Sequence, residues 1–305
     1  MPKPHKPSRD PGDQIKAMLR REVNFGCPVR HVDGTGCGSP ILTFHHFDPP
    51  WATCFAHHPE GMIALCPSHH LQADAGLLTN AHLRDFKRHP FIDDRLKVRW
   101  PWQTETMLIK VGRSIVLGGG SALRFDGVPV IKFARAEIPG FGVHTALLSS
   151  HVRDQQRRTW LNVEDGWLDL RLEHTVDAQF SAQTKTFLAK HADDTFMSLR
   201  FRRPSVGAFL KWLPSFWSDA PSLASVVRSI ENAGAVDSDG HVPVVEFEGR
   251  FTTDKVSIRV RQHEMTFESL VPGMRGEFPF KSHLVDGECR MVLTMEKGPE
   301  FFSLG

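Results

Sequence analysis

Residues 27–74 of this 305-residue chain carry four of its five cysteines together with three histidine doublets. The doublets are His45-His46, His57-His58 and His69-His70. Cysteine as thiolate and histidine as neutral imidazole are the side chains that bind zinc and similar divalent ions. This interleaving of the two residue types predicts a segment whose fold is organised around metal ions.

Four of these side chains have the spacing of a structural zinc site. Cys27 and Cys37 flank a glycine-rich loop, residues 32–36, that can bend the chain so that both sulfurs face one point. Cys66 and His69 are separated by two residues, as in half of a zinc knuckle. A Cys3His set is tetrahedral and closed, and it leaves no position for a substrate. We therefore predict a structural Zn2+ bound by Cys27, Cys37, Cys66 and His69.

The members of each remaining doublet are predicted to have different roles. Residues 40–46 are predicted to form a short strand, on which His45 and His46 point to opposite faces. A helix is predicted from Pro67, and on it His69 and His70 are about 100° apart. One histidine of a doublet can therefore hold a metal while its neighbour does something else. His45, His46 and His70 form this second group.

The pattern resembles the HNH nuclease family, whose core is two strands and a helix around one catalytic divalent ion. The matching segments are residues 45–49 (HHFDP), 61–70 (GMIALCPSHH) and 73–76 (ADAG), and the likeness extends over roughly residues 24–90. The resemblance implies that His46 is the general base and that His45 and His70 bind the catalytic ion. It also implies that the Cys3His set is the structural zinc of the family's zinc-knuckle type.

This resemblance predicts a metal-dependent DNA endonuclease that hydrolyses phosphodiester bonds. His46 would take a proton from water, with one divalent ion, Mg2+ or another, at the scissile phosphate. DNA is the expected partner, and restriction, phage defence and mobile-element maintenance are compatible settings. Two alternatives stay open. One is a zinc-dependent module that binds nucleic acid or protein without cleaving, and the other is a hydrolase acting on something other than nucleic acid.

Position 61 departs from the family pattern. The asparagine that braces the loop and helps orient the general base in the family falls at Gly61, which has no side chain for this purpose. His57 or His58, just upstream, is a candidate for the supporting role. If the alignment is right, an asparagine at position 61 is expected to leave activity equal or to raise it.

A basic segment follows the predicted metal core. It begins on a helix predicted over residues 81–89 and comprises Arg84, Lys87, Arg88, Arg95, Lys97 and Arg99. The net charge of the whole chain is only +2, so any contact with DNA must come from such a local patch. Lysine and arginine clusters bind phosphates with a strong salt dependence. We expect these six residues to contact DNA, with a solvated helix face as the alternative.

The length of the chain and its pattern of predicted helices and strands indicate an α+β protein of two domains. Residues 1–12 are expected to be a flexible arm, 13–92 the HNH domain with its first helix at 13–22, and 93–106 a linker. Residues 107–305 are expected to be β-rich, with a helical segment at about 204–233. No motif assigns a role to this region, which could bind a protein partner.

The odd number of cysteines, most of them in the metal-binding stretch, argues against a disulfide scaffold and for a reducing compartment. The amino-terminal residues contain no apolar block of the kind that signal peptides have. No apolar run approaches the roughly 20 residues that a membrane helix needs. We therefore expect a cytoplasmic protein that does not contact membranes.

Overall fold

The structure is a computed structural model, and it describes residues 8–102, 104–112, 114–117, 122–125, 128–140, 142–213, 223–252, 256–261, 265–269, 284–286 and 289–290. These residues form a mixed α/β fold that consists mostly of strands, with six helices. The helices are α1 (Asp13–Glu22), α2 (Trp51–Cys54), α3 (Pro67–Asp74), α4 (Asn80–Arg88), α5 (Val206–Trp212) and α6 (Leu223–Asn232). A short 3-10 turn covers Pro59–Gly61.

Most of the strands follow residue 107, where the sequence predicted a β-rich region. The strands are β1 (Thr43–His46), β2 (Met62–Leu65), β3 (Arg95–Arg99), β4 (Leu108–Val111), β5 (Ser114–Leu117), β6 (Ala122–Phe125), β7 (Val128–Ile138), β8 (Val143–Arg153), β9 (Thr159–Glu164), β10 (Trp167–Arg171), β11 (Thr175–Ser181), β12 (Thr186–His191), β13 (Phe196–Arg202), β14 (Val244–Thr252), β15 (Val256–Val260), β16 (Met265–Ser269), β17 (Leu284–Asp286) and β18 (Cys289–Arg290).

The chain divides into two compact units. The first unit combines residues 1–98 with residues 170–190, and the second combines residues 99–169 with residues 191–305. A segment from the middle of the predicted β-rich region therefore belongs with the metal-binding residues. Within the stretch predicted to be a linker, residues 93–106, the chain forms strand β3.

A small apolar core holds the first unit together. Strand β2 is buried along its whole length, because all four of its residues are apolar. It pairs antiparallel with β1, so that Thr43 lies opposite Leu65 and His46 opposite Met62. Helix α3 packs against both strands, and α1 packs against β2 through Leu19 and Val23. The strand predicted over residues 40–46 begins at Thr43.

Helix α1 is also attached to β11, far along the chain. The guanidinium of Arg20 donates to both oxygens of Asp177, at 2.9 and 2.7 Å, and Arg20 is buried. The neighbouring Arg21 donates to the carbonyl oxygen of Val176 at 2.7 Å. The charged face of α1 is therefore part of the packing within the first unit.

The arm predicted over residues 1–12 is described only from residue 8. Pro11 is buried, and Lys16 Nζ lies 2.7 Å from the carboxylate of Asp10. Ser8 Oγ accepts a hydrogen bond from the backbone N–H of Asp10 at 3.1 Å. The last residues of the predicted arm are thus tied to the start of α1.

Two groups of strands and a helical layer build the second unit. Strands β6, β7, β8 and β9 follow one another in antiparallel order. In the other group β14 pairs antiparallel with β13 and β15 and parallel with β4. The predicted helical segment at 204–233 forms α5 and α6, which bury Phe209 and Ile230 in a core with Leu108. None of the helices in the described part of the chain has the length and apolar character to span a membrane.

Candidate metal centres

The loop between Cys27 and Cys37 is closed by backbone hydrogen bonds. The N–H of Cys27 donates to the carbonyl of Ser39 at 2.9 Å, and the N–H of Cys37 donates to Val29 at the same distance. Gly38, whose φ of +58° favours glycine, donates back to the carbonyl of Cys27 at 3.1 Å. These bonds fold the glycine-rich loop over so that the two sulfurs face the same side.

Cys66 and His69 are brought to the same point by the first turn of α3. Cys66 is the N-cap of this helix, and its Sγ accepts a hydrogen bond from the backbone N–H of His69 at 3.5 Å. His69 Nδ1 lies 3.2 Å from Cys66 Sγ and 3.3 Å from Cys27 Sγ. Cys37 Sγ lies 3.8 Å from Cys66 Sγ. The four predicted ligands therefore form one cluster, with all ligand atoms within 4.8 Å of one another.

The dimensions of this cluster fit a tetrahedral zinc ion. A tetrahedron with Zn–S distances of about 2.3 Å has edges of about 3.8 Å, and edges to nitrogen are somewhat shorter. Burial raises the pKa of the Cys27 and Cys37 thiols and lowers the pKa of His69. Thiols in such a site ionise when a cation replaces their protons. Cys27, Cys37, Cys66 and His69 could thus hold a zinc ion.

Side chains of β1 and α3 form a second cluster. His45 Nδ1, from β1, is 3.2 Å from one oxygen of Asp74, and His70 Nε2 is 3.6 Å from the other. The two imidazole rings meet edge to face, with centroids 5.0 Å apart. The Nδ1 atom of His45 is buried and has no well-aligned hydrogen bond among the described residues. Two imidazole nitrogens and a carboxylate therefore converge on one point.

A hydrogen bond to Thr43 defines the tautomer of His70. The Thr43 hydroxyl donates its only proton to the carbonyl of Leu65 at 3.1 Å. It lies 2.7 Å from His70 Nδ1, so it must accept a proton there. Nδ1 of His70 is then protonated, and Nε2 presents its lone pair toward Asp74. This is the arrangement that a metal-binding histidine with a supporting partner has.

Burial keeps the second cluster suited to a cation. Burial is the main cause that lowers the pKa of both His45 and His70, which favours their neutral, metal-binding form. Asp74 supplies a negative charge, and its side chain is 47% exposed. The cluster is therefore open to solvent on the carboxylate side, unlike the Cys3His cluster, and can accept a ligand from outside.

His46 faces away from this cluster. Its Nε2 lies 3.0 Å from Nδ1 of His57, whose ring is stacked on Trp51 with centroids 4.9 Å apart. The Trp51 and His46 ring centroids are 5.1 Å apart. Burial and the nearby His57 lower the pKa of His46 to about 4, so its imidazole is neutral around pH 7. The doublet thus places one ring beside Asp74 and the other in an aromatic pocket.

Gly61 occupies a position at which no side chain fits. Its carbonyl accepts hydrogen bonds from the backbone N–H groups of Phe47 and Asp48, at 2.9 and 3.1 Å. A Cβ atom on Gly61 would lie 1.5 Å from the carbonyl oxygen of Asp48. The structure therefore leaves no room for the asparagine side chain, and the effect of this change on activity stays a prediction. Of the two suggested substitutes, His57 contacts His46, whereas His58 is exposed.

We expect Gly61→Ala to destabilise the first unit by at least about 2 kcal/mol, because backbone atoms of Asp48 must move to admit the methyl group. Thermal unfolding monitored by circular dichroism measures this loss. Gly207→Ala is the control, since a Cβ at position 207 meets no atom within 4 Å. Equal stability of the Gly61→Ala variant and the wild type would contradict the close approach.

The predicted DNA-binding residues differ in their surroundings. Lys87 Nζ lies 2.8 Å from the carbonyl of Met62 and 3.0 Å from Glu22 Oε2, and it also donates to the carbonyl of Pro59. The two carbonyl oxygens accept hydrogen bonds from the ammonium group, and Glu22 pairs with its charge. Lys87 therefore fixes the turn before β2 to α1, and we do not place it on a DNA-binding surface.

The other five basic residues lie nearer to solvent. Arg84 pairs with Asp48 and lies over the ring of Phe47, 5.7 Å from its centroid. Arg88, Lys97 and Arg99 are exposed, and Arg95 is half-buried. On β3, Arg95, Lys97 and Arg99 alternate with the buried Leu96 and Val98, as on a strand with one solvated face.

Sequence reasoning missed Asp74 as a member of the second cluster. The available signal was its position four residues after His70 on a predicted helix, which places both side chains on one face. It also missed a third group of metal-binding residue types in the second unit, Asp154, His191 and Asp193. In this group Asp154 accepts hydrogen bonds from Arg158. Asp193 accepts hydrogen bonds from the backbone N–H groups of Gln155 and Thr195. Protein donors therefore already satisfy both carboxylates.

The comparisons with known proteins add nothing to this geometry. No family model, curated protein or solved structure matches the chain.

Proposed function

We propose that this protein is a metal-dependent DNA endonuclease of the HNH type, with β1, β2 and α3 as its ββα-metal core. The observation that carries the proposal is the division of the histidine doublets. His45 and His70 meet Asp74, His69 joins the cysteines, and His46 lies apart from both clusters. This division matches the roles that the resemblance assigns to each residue.

In this proposal His45, His70 and Asp74 hold the catalytic ion, Mg2+ or another divalent cation. Two neutral imidazoles and one carboxylate suit such an ion and leave coordination positions for substrate and water. When bound, the ion supplies Lewis-acid stabilisation of the charge that develops on the phosphate and on the leaving oxygen. The Cys3His cluster would hold the structural zinc that fixes α3 beside the loop at residues 27–37.

His46 is the general base in this proposal. Its neutral imidazole takes a proton from a water molecule, and the resulting hydroxide attacks phosphorus while the bond to the 3′ oxygen breaks. The pKa of His46, lowered by burial and by His57 to about 4, keeps the ring in its basic form at neutral pH. The aromatic pocket around His46 keeps this residue separate from the ion-binding residues.

Supercoiled plasmid incubated with the purified protein and Mg2+, Mn2+, Ni2+ or Co2+ tests the proposal. We expect the protein to convert the plasmid to nicked or linear DNA, and we expect EDTA to prevent this conversion.

A second candidate function is a binding module without cleavage, which is favoured by the steric block at Gly61. Binding of DNA without any strand break under all four ions would support that module and overturn the nuclease.

We expect Asp74→Asn to raise the concentration of divalent ion needed for half-maximal cleavage about 10–100-fold, because the cluster loses its charged ligand. Titration of the metal in the plasmid assay measures this effect. Asp85→Asn is the matched control, since Asp85 is exposed on α4 and pairs with His89. An unchanged metal requirement in Asp74→Asn would remove Asp74 from the proposed ligands.

The exposed basic residues are proposed to contact DNA phosphates. For Arg88→Ala, Lys97→Ala and Arg99→Ala we expect the slope of log affinity against log salt to fall by about 0.9 for each lost contact. Fluorescence anisotropy with a labelled duplex measures this slope. Lys190→Ala, which removes an exposed lysine from β12, is the control. Unchanged slopes in the three variants would place the DNA path elsewhere.

A further inference from the structure

Three arginines in the described part of the chain lie over aromatic rings. They are Arg84 with Phe47, Arg202 with Trp212, and Arg99 with Trp167, and the guanidinium carbons are 5.7, 5.4 and 5.8 Å from the ring centroids. In the first two pairs the arginine also binds a carboxylate, since Arg84 pairs with Asp48 and Arg202 donates to Glu246 at 2.8 Å. The ring of Phe47 is buried, and that of Trp212 is half-buried against an apolar core. These two pairs are therefore part of the packing of the fold.

The pair of Arg99 and Trp167 differs from the other two in both respects. Trp167 is 58% exposed, although tryptophan side chains are highly buried on average. Arg99 is exposed as well, and its guanidinium has no ion pair with any described carboxylate. The pair therefore presents an open aromatic ring beside a positive charge that no described residue neutralises.

Two adjacent strands hold these side chains next to each other. Arg99 is the last residue of β3, and Trp167 is the first residue of β10. The backbone N–H of Trp100 donates to the carbonyl of Gly166 at 2.7 Å, which joins the two strand ends. Trp100 and Leu168, the next residues along each strand, are buried, so Arg99 and Trp167 are on the solvated face. All five residues belong to the second unit.

A nucleotide carries the two groups that this pair can bind. Its base can stack on an exposed indole, and its phosphate can pair with a guanidinium. The bases of duplex DNA are already stacked on one another, so only an unpaired base is free to lie on Trp167. Glu164 and Asp165 are exposed in the turn before Trp167, and their charges disfavour the second phosphate backbone that a duplex would bring.

We propose that Arg99 and Trp167 form a binding site for single-stranded DNA, in which one unpaired base stacks on Trp167 and a neighbouring phosphate pairs with Arg99. The choice of DNA as the nucleic acid rests on the nuclease function proposed above. Every base has a π-face, so stacking on Trp167 selects unpaired DNA whatever its sequence. The site thus adds a preference for unpaired segments to the phosphate contact already proposed for Arg99.

Fluorescence anisotropy with a labelled oligothymidylate, and with a duplex of the same length, tests this site in the full chain without added divalent ion. We expect Trp167→Ala to weaken binding of the oligothymidylate about 5–150-fold and to change the affinity for the duplex less than about twofold. Trp167→Phe, which keeps a smaller aromatic face, is expected to lose less. Leu77→Ala is the matched control, since Leu77 is 70% exposed and has no aromatic ring. It is expected to keep both affinities.

Indole fluorescence provides a second measurement at the residue itself. Stacking of thymine on Trp167 is expected to quench its emission. Saturation with oligothymidylate should therefore lower the emission of the wild type more than that of Trp167→Phe. The difference between the two proteins isolates Trp167 among the seven tryptophans of the chain. Circular dichroism shows that both Trp167 variants are folded, as we expect for changes to an exposed side chain.

The outcomes distinguish this site from the nuclease function. Equal affinity of the wild type and Trp167→Ala for oligothymidylate would overturn the site, and so would a wild type that does not bind it. Equal losses for oligothymidylate and duplex would also overturn it, because stacking on an unpaired base would not explain them. If the protein binds oligothymidylate through Trp167 but leaves plasmid intact with all four ions, the nuclease function fails and the single-strand site stands.

Discussion

The Cys66→Ser variant is expected to lose zinc and to unfold residues 1–92, which comprise the predicted arm and the predicted metal-binding domain. Cys66 is both a member of the Cys3His cluster and the N-cap of α3. Because serine is also a good N-cap residue, the variant removes the zinc ligand and leaves the helix cap in place. Structural zinc sites contribute apparent binding free energies of about 10–16 kcal/mol at pH 7, which is free energy of folding. Elemental analysis and limited proteolysis measure the two losses.

Cys54→Ser is the matched control for this prediction. Cys54 lies outside both clusters, and within the described residues its Sγ makes long contacts, at 3.7 and 3.5 Å, to the carbonyls of Pro50 and Ala56. We expect this variant to retain one zinc ion per chain and its protease resistance. Wild-type protein that is folded and contains no zinc would contradict the assignment of the Cys3His cluster.

The His46→Ala variant is expected to lose cleavage while its fold and its affinity for DNA stay close to those of the wild type. Loss of a general base costs about 10²–10⁴ in rate, which in a plasmid assay is loss of detectable activity. His45→Ala and His70→Ala are expected to be inactive as well, but excess divalent ion should restore them in part. They weaken an ion site and leave the base in place, whereas His46→Ala removes the base.

His89→Ala is the control for this second prediction, because His89 is exposed and pairs with Asp85 at the end of α4. It is expected to cut plasmid at the wild-type rate. If His46→Ala cut as well as His89→Ala, another residue would have to be the base. His57, the hydrogen-bonded neighbour of His46, would then be the first residue to test.

The grouping of the ligands could be predicted from sequence because it depends on local geometry. On a strand the side chains of two adjacent residues point to opposite faces, and on a helix they point in directions about 100° apart. These two rules place His45 apart from His46 and His69 apart from His70, as the structure does. Helices α1 and α4 were likewise predictable, since their polar starts and apolar faces are local features.

The features that the sequence did not reveal depend on tertiary contacts. The clash at Gly61 arises because the chain at Asp48 crosses over it, and no local pattern indicates such a crossing. Helix α2 forms directly after Asp48-Pro49-Pro50, although two adjacent prolines interrupt regular hydrogen bonding. Asp74 is a single carboxylate on a helix, and its role depends on which residues face it.

The discontinuity of the first unit has a consequence for how this protein is made. Arg20 is buried against Asp177, and a buried charge that loses its partner destabilises a fold by about 3–5 kcal/mol. A ribosome must add about 90 residues after Val98 before Lys190, the last residue of the unit, is in place. At about 5–20 residues per second this takes about 5–20 seconds, during which the metal-binding region emerges without its partner strands. The nascent chain would therefore complete its metal-binding region only after much of the β-rich region has been synthesised.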